Sequence, residues 1–462
     1  DKIIQISPAD PFTVTFPATG LKEEDIRIEI RDCEGKVMLT YQADKPEIKP
    51  IPDPAKAAKD PKDIASIEQL FLTGLHLEQY RHATYNPMDY YQEALRREPG
   101  NVRCNNAIGL LLMRKGQFVA AEGCFRTAVT TLTERNPNPY DGEPSYNLGW
   151  SCKMQGKADE AYDAFFKSAW NAAWQDAAYY GLAQIDTAKG KYESALDKVD
   201  RSLIRNWHNH KARALKATVL RQMNKTEEAL QLIEDSLALD KFNFGCRYEK
   251  YLLTGNADDL AILKTMMRGE AHNYDEIALD YCAAGCWEEA ASLWNVAISE
   301  GIVTPMTYYY LGWCLVQGNL AGAEQAFIDA STTCSDYCFP NRLEAILALQ
   351  CAMEQNPKDA KAPYYLGNLY YDKRQYDLAM EAWETSAELD DKFPTVWRNL
   401  ALAYFNKKDE EVKAIECMER AFLLDVTDAR VLMELDQLYK RVHRSHVERL
   451  AFLQKYPELI AQ

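Results

Sequence analysis

YNLGWSCKMQGKADEAYDAFFKSA (residues 146–169) and YYLGNLYYDKRQYDLAMEAWETSAELD (residues 364–390) are two copies of one pattern, 218 residues apart. In the first, Gly149 is followed by Ala161, Phe165 and Ser168; in the second, Gly367 is followed by Ala379, Trp383 and Ser386. The offsets of 12, 16 and 19 recur in Gly109/Ala121/Phe125/Ala128, Ala183/Ala195/Val199/Ser202, Ala217/Ala229/Ile233/Ser236 and Ala278/Ala290/Trp294/Ala297. Leading residues step by 34 from 149 to 183 to 217, and again from Gly367 to Ala401. That is the period of a repeated helix-turn-helix unit. Small residues facing each other across two helices let the backbones approach, and a large residue one turn on fills the gap beside them. One such hairpin cannot bury its apolar face alone, so stability comes from stacking on neighbours.

Departures from the step locate irregular units. The 40-residue step from Gly109 to Gly149 reflects a loop lengthened by ERNPNPY (134–140), and the 61-residue step from Ala217 to Ala278 leaves a decayed unit around 244–269. The 55-residue step from Gly312 to Gly367 contains CSDYCFPN (334–341), then a new helix over 342–355. The turns RKGQF, MQGKA, AKGKY, QMNKT, AAGCW, VQGNL and DKRQY suit helix ends closed by a residue with positive φ, often glycine. Pro99 and Pro357 mark unit ends. The prediction is an all-α fold, an α-α superhelix or solenoid of about eleven helical hairpins over 64–430, closed by polar helices over 431–462.

Residues 1–43 read differently. FTVTF (12–16), IRIEI (26–30) and VMLTY (37–41) have strand character, and Asp32 to Lys36 supplies a hairpin turn with Gly35. This small N-terminal β segment is either a cap on the solenoid or the remnant of a larger β domain. A proline-rich linker over 44–63, with Pro46, Pro50, Pro52, Pro54 and Pro61, is expected to be extended and stiff. The chain opens with Asp1-Lys2-Ile3, as a fragment or processed form would.

A formal charge of −16 argues against general nucleic-acid binding, which needs a basic face. No apolar run reaches the 18 or so residues of a membrane span. Twelve cysteines, mostly inside helical runs, read as small buried hydrophobes of a reducing, cytoplasmic setting rather than a disulfide framework. The pair Cys282/Cys286 reads as core packing, whereas Cys334/Cys338, in the irregular loop, leaves a disulfide or metal site open beside packing. Phosphate loops, zinc-protease helices and serine elbows are missing; GWSCKMQGK (149–157) is too long for a phosphate loop. His208 and His210 read as loop residues, and His443 and His446 as a solvated face. The chain by itself is thus expected to be no enzyme and to carry no cofactor, metal or catalytic residues.

In stacked hairpins the first helix of each unit lines the hollow side. Positions three before and one after the small packing residue sample that side: Tyr146 and Trp150, Tyr180 and Gln184, Tyr309 and Trp313, Tyr364 and Asn368, with Tyr371 a turn later. The packing pattern does not require these aromatics, which give a recognition surface large contact area at low entropic cost. The alternative is that they only fill a tight superhelix.

The two stretches quoted first resemble tetratricopeptide repeats over roughly 64–440. The resemblance implies a groove for protein or peptide; the chaperone-tail mode is not supported, since Tyr364 accompanies Asn368 where that mode uses lysine. The plan of β strands, proline connector and SIEQLFLTGLHLEQYRHATYNPMDYYQEALRREPGN (66–101) also looks like bacterial proteins in which a mutarotase-like β-sandwich domain precedes a tetratricopeptide array. Two functions follow: a scaffold holding a polypeptide partner, which includes its own upstream β domain, or the accessory region of a carbohydrate-binding or carbohydrate-active protein, with glycan as ligand.

Overall fold

The computed structural model describes residues 2–5, 12–17, 19–45, 51, 56–82 and 84–460. Among them the chain is helical, with one two-stranded sheet. Strands β1 (Arg27–Arg31) and β2 (Val37–Gln42) pair antiparallel, Ile28 opposite Tyr41, around a turn in which Gly35 has φ +85°. Residues 12–16 lie outside any strand, against the expectation: β-rich composition favours a pleated, paired surface but does not by itself supply the pairing. Pro46, Pro50, Pro52 and Pro54 fall outside the described residues, whereas Pro61 opens a 3-10 turn capped by Asp60.

Helices then pair in succession: α1 (Ile67–Gln79) with α2 (Pro87–Arg97), α3 (Val102–Arg114) with α4 (Phe118–Thr133), and α5 (Glu143–Met154) with α6 (Ala158–Ser168). Next come α7 (Gln175–Ala188) with α8 (Tyr192–Arg205), α9 (His210–Gln222) with α10 (Thr226–Leu239), and α11 (Phe244–Thr254) with α12 (Ala257–Met267). The series continues with α13 (Ala271–Ala283) and α14 (Trp287–Ser299), then α15 (Pro305–Gln317) and α16 (Ala323–Thr332). A single helix, α17 (Glu344–Gln355), follows without an outer partner and packs directly on α15 and on α18 (Lys361–Asp372). The pairs α18 with α19 (Tyr376–Leu389) and α20 (Pro394–Ala403) with α21 (Glu411–Leu424) resume the pattern before α22 (Ala429–Arg441), α23 (His446–Leu453) and α24 (Pro457–Ile460).

The local chemistry explains where helices start and stop. Side chains of Ser66, Asn86, Asn101, Asn209, Asn243 and Asn256 accept from backbone N–H groups of the first turn, and Thr304 and Ser445 form capping boxes. Within hairpins the left-handed residue sits at one place in each turn: Gly116, Gly156, Gly190, Asn224, Gly285, Asn319 and Arg374 all have positive φ.

The repeated pattern is a ring-on-glycine contact. A Cβ placed on Gly149 would lie 2.6 Å from the Phe165 ring, one on Gly109 2.4 Å from Phe125, and one on Gly367 2.5 Å from Trp383. Phe125, Phe165 and Trp294 are fully buried, and the contacts repeat from hairpin to hairpin along the array. The array is a superhelix that closes on itself. The α3–α4 turn meets α17 and the α18–α19 turn: Gln117 Nε2 donates to Gln375 Oε1 at 2.6 Å, and Gln375 Nε2 donates to the Lys115 carbonyl at 2.5 Å. Gly116 lies against Ile346 and Leu343, and Gly285 of the α13–α14 turn against Ala188 at the end of α7.

Candidate functional site: a closed interior cavity

Closure turns the hollow side into a cavity of about 860 Å³. Its walls come mostly from α5, α7, α9, α13, α15 and α17, which are first helices of their units apart from the unpaired α17, with Ala158 and Trp287 added from the starts of α6 and α14. Of the nine positions expected on the inner face, Trp150, Tyr180, Gln184 and Trp313 line this cavity.

The other five lie elsewhere. Tyr309 is wholly buried, its hydroxyl donating to Asp359 Oδ2 at 2.7 Å, and Tyr364 is buried against Phe393, with ring centroids 4.8 Å apart. Tyr146 packs between Phe165 and Trp174, 5.6 and 4.9 Å away. Asn368 accepts from Trp383 Nε1 and Asn399 Nδ2, stitching α18 to α19 and α20, and Tyr371 packs on Trp383 and Tyr376. Asn368 and Tyr371 belong to α18, which does not line the cavity; for the three tyrosines the cause is height along the helix. Positions three before the small residue lie toward the helix N-terminus, where the loop entering the next unit covers them, as Trp174 and Phe393 do. Tyr180 escapes because Trp207, in the loop of its neighbour, turns out to solvent and stacks on Arg213 at 4.0 Å.

The cavity therefore sits over the C-terminal halves of the lining helices, and positions four and five after the small residue reach it. Lys153 and Met154 follow Gly149 at these offsets, and Val316 and Gln317 follow Gly312. Lys153 is the principal residue the sequence reading missed, although it lies one turn beyond Gly149 and beside Trp150. Its Nζ donates to Gln184 Oε1 and lies 5.2 Å from the Trp150 ring centre; it forms no ion pair among the described residues. Enclosure by the superhelix pushes its pKa down to about 7, against the pull of Asp280 and Glu344. Asp280 faces it from α13, with its carboxyl pushed up by burial and held by Lys211 Nζ at 2.7 Å. Arg342 is paired with Glu276, and its Nε lies 3.5 Å from Glu344. Trp287 and Trp313 meet edge-to-face at 5.8 Å.

A second space of about 180 Å³ opens beside the first between α9, α11 and α13. Its wall is mostly apolar, with Leu215, Phe242, Phe244, Ile277 and Ala284, and it shares Tyr180, Lys211 and Asp280 with the main cavity.

Outside the cavity, Glu122, Cys152 and Glu160 bring ligand-type atoms within 4.8 Å of one another. Cations of the chain already fill that cluster: Arg126 bonds both carboxylates, and Lys157 Nζ reaches Glu122 at 2.6 Å. Burial raises the Glu122 pKa, but these bonds and that from Gln155 outweigh it and hold it near about 2. The arrangement is a satisfied salt-bridge network. All twelve cysteines are free thiols, and Cys282, Cys286 and Cys338 are buried while Cys334 is exposed. No helix of the described residues is long and apolar enough to cross a membrane.

A family model described as a TPR repeat matches residues 367–408. Among solved structures, MamA is similar at 18% identity, covering 38% of this chain and 92% of that one, with a TM-score of 0.33. PilF of Pseudomonas aeruginosa is similar at 16% identity, covering 43% and 88%, with a TM-score of 0.37. A tetratricopeptide repeat protein from Parabacteroides merdae is similar at 18% identity, covering 68% and 98%, with a TM-score of 0.29.

Proposed function

We propose that this array of tetratricopeptide repeats is a non-catalytic scaffold that holds an extended segment of a partner polypeptide in its aromatic interior. The observation that carries the reading is the cavity of about 860 Å³ into which Trp150, Tyr180 and Trp313 project from three different units. Its volume falls within the few hundred to about a thousand cubic ångströms of ligand sites, which suits a short stretch of chain and not a folded domain. Rigid rings supply contact area at little entropic cost. Gln155, Gln184, Gln317, Gln350 and Gln355 line the same space, and amides both donate to and accept from a peptide backbone.

The test is binding of the full chain to a short-peptide array and, in parallel, to an oligosaccharide array, with Trp150→Ala and Trp313→Ala as variants. Loss of a central aromatic anchor costs about 2 kcal/mol, so each variant is expected to weaken peptide binding by about thirtyfold. Retention of peptides by both variants at full strength refutes an interior site. Retention of oligosaccharides alone moves the reading to the accessory region of a carbohydrate-binding protein.

A further inference from the structure

The second cavity exists because one unit is short. From the start of α9 to that of α11 is 34 residues, but from α11 to α13 only 27, since α11 and α12 are each 11 residues long and Arg268–Glu270 is all that joins α12 to α13. A space between α9, α11 and α13 beside Phe244 is left open. Lys211 of α9 bridges past α11 to Asp280 of α13 and stands where the two cavities meet. An apolar space of about 180 Å³ is on the scale of a cavity of about 150 Å³ that accepts a benzene ring.

Among the charged residues lining the main cavity, Lys153 and Glu354 have no ion-pair partner within the described residues. Asp280 is engaged by Lys211, Glu344 lies beside Arg342, and Lys189 pairs with Asp159. Lys153 has only the Gln184 amide oxygen. Lys153 is partly buried, and Asp280 and Glu344 act on it without forming an ion pair; an anion arriving at hydrogen-bond distance offsets the cost of its desolvation.

We propose that the shortened unit is a specificity pocket, and that the polypeptide held in the interior presents an apolar side chain to it and a nearby carboxylate to Lys153. This rests on the polypeptide reading above. The carboxylate belongs to an acidic side chain or to a chain terminus; the chemistry is the same and the test separates them. The charged groups lining the cavity with Lys153 are Asp280 and Lys211, Glu344 and Arg342, Lys189 and Glu354, with His210 at the rim of the small pocket. Lys153 with a pKa of about 7 is charged below that pH and must take up a proton to pair with a carboxylate above it. Affinity for acidic peptides is therefore highest below pH 7 and falls by about tenfold per pH unit above it, until the raised pKa of the complex is reached.

The experiment measures anisotropy of labelled short peptides on the full chain, carrying Leu or Ala paired with Glu or Gln at a range of spacings, with free and amidated C-termini. Leu with Glu is expected to bind at least about tenfold tighter than either single replacement. If amidation, not Gln, removes the gain, the carboxylate is terminal. Lys153→Met is expected to erase the acid preference and the pH slope, and Ile277→Trp, which narrows the pocket, to erase the Leu preference; melting curves confirm that both fold. A slope that survives Lys153→Met overturns the lysine contact. Peptides that need Trp150 but show neither preference overturn this proposal and leave the interior scaffold standing. Peptides that bind the Trp150→Ala and Trp313→Ala variants at full strength, or none that bind, overturn both.

Discussion

At the scale of single residues the array is governed by what faces the small position of each first helix. Where that residue is glycine, a ring lies on it; where it is Ala183 or Ala217, its partner is Val199 or Ile233. Gly149→Ala would drive a Cβ to 2.6 Å from a Phe165 ring that has no room to retreat. Overpacking of about 1–3 kcal/mol exceeds the gain of up to about 1 kcal/mol in helix propensity, so urea unfolding is expected to report a net loss. Adding Phe165→Val recreates the Ala183/Val199 pairing and is expected to recover part of it; a strictly additive double mutant would refute direct coupling. This contact was legible in the sequence because it repeats. Lys153 was not, because it occurs in one unit only. Its folded pKa of about 7 lies below the unfolded value of about 10.4, so the cost of burying its charge is full below pH 7 and shrinks as pH rises toward 10. Lys153→Met without ligand is accordingly expected to be more stable than the parent chain at pH 6 and nearly equal to it at pH 10. A stability difference independent of pH would remove the titrating group from the account.

At the scale of elements the shortened unit needs a substitute for the packing it lacks, and the structure supplies a buried polar knot. Glu249 of α11 is fully buried and accepts from Thr218 at 2.9 Å, Arg221 at 2.8 Å and Tyr281 at 2.7 Å, while Arg221 also reaches Glu289 of α14 at 2.8 Å. Four helices of three units are thereby tied together where the regular contacts thin out. Removing one partner leaves a buried charge without its counterpart, so Arg221→Met is expected to cost about 3–5 kcal/mol in denaturant unfolding and to speed amide exchange in α11 and α12 first. A cost below about 1 kcal/mol would mean that water replaces the guanidinium. Spacing alone located this unit, since 61 residues cannot hold two full repeats. What filled it was illegible, because Thr218, Arg221, Glu249 and Tyr281 share no periodic relation. The aromatic inner face was half legible for a related reason: the offset rule gave the angular position around each helix, whereas exposure also depends on which loop crosses the helix N-terminus.

At the scale of the molecule the decisive feature is closure, which no local pattern announces. An open solenoid has only nearest-neighbour contacts, so distant units unfold independently when the contacts between them weaken. Here the α3–α4 turn is tied to the α18–α19 turn through two amide hydrogen bonds, and Gln375 is nearly buried, with 8% of its surface exposed. Gln375→Met keeps the volume but abandons the Lys115 carbonyl and the Gln117 amide, each left unsatisfied at about 1–3 kcal/mol in the closed form and hydrated in an open one. The substitution therefore acts on the closed state and hardly on the individual hairpins. The expected result is a larger radius of gyration by small-angle scattering and a thermal transition that separates into two. Unchanged scattering with a single, slightly lowered transition would assign closure to Gly116, Leu343 and Ile346 instead, and would make the amide pair a consequence of that contact and not its cause.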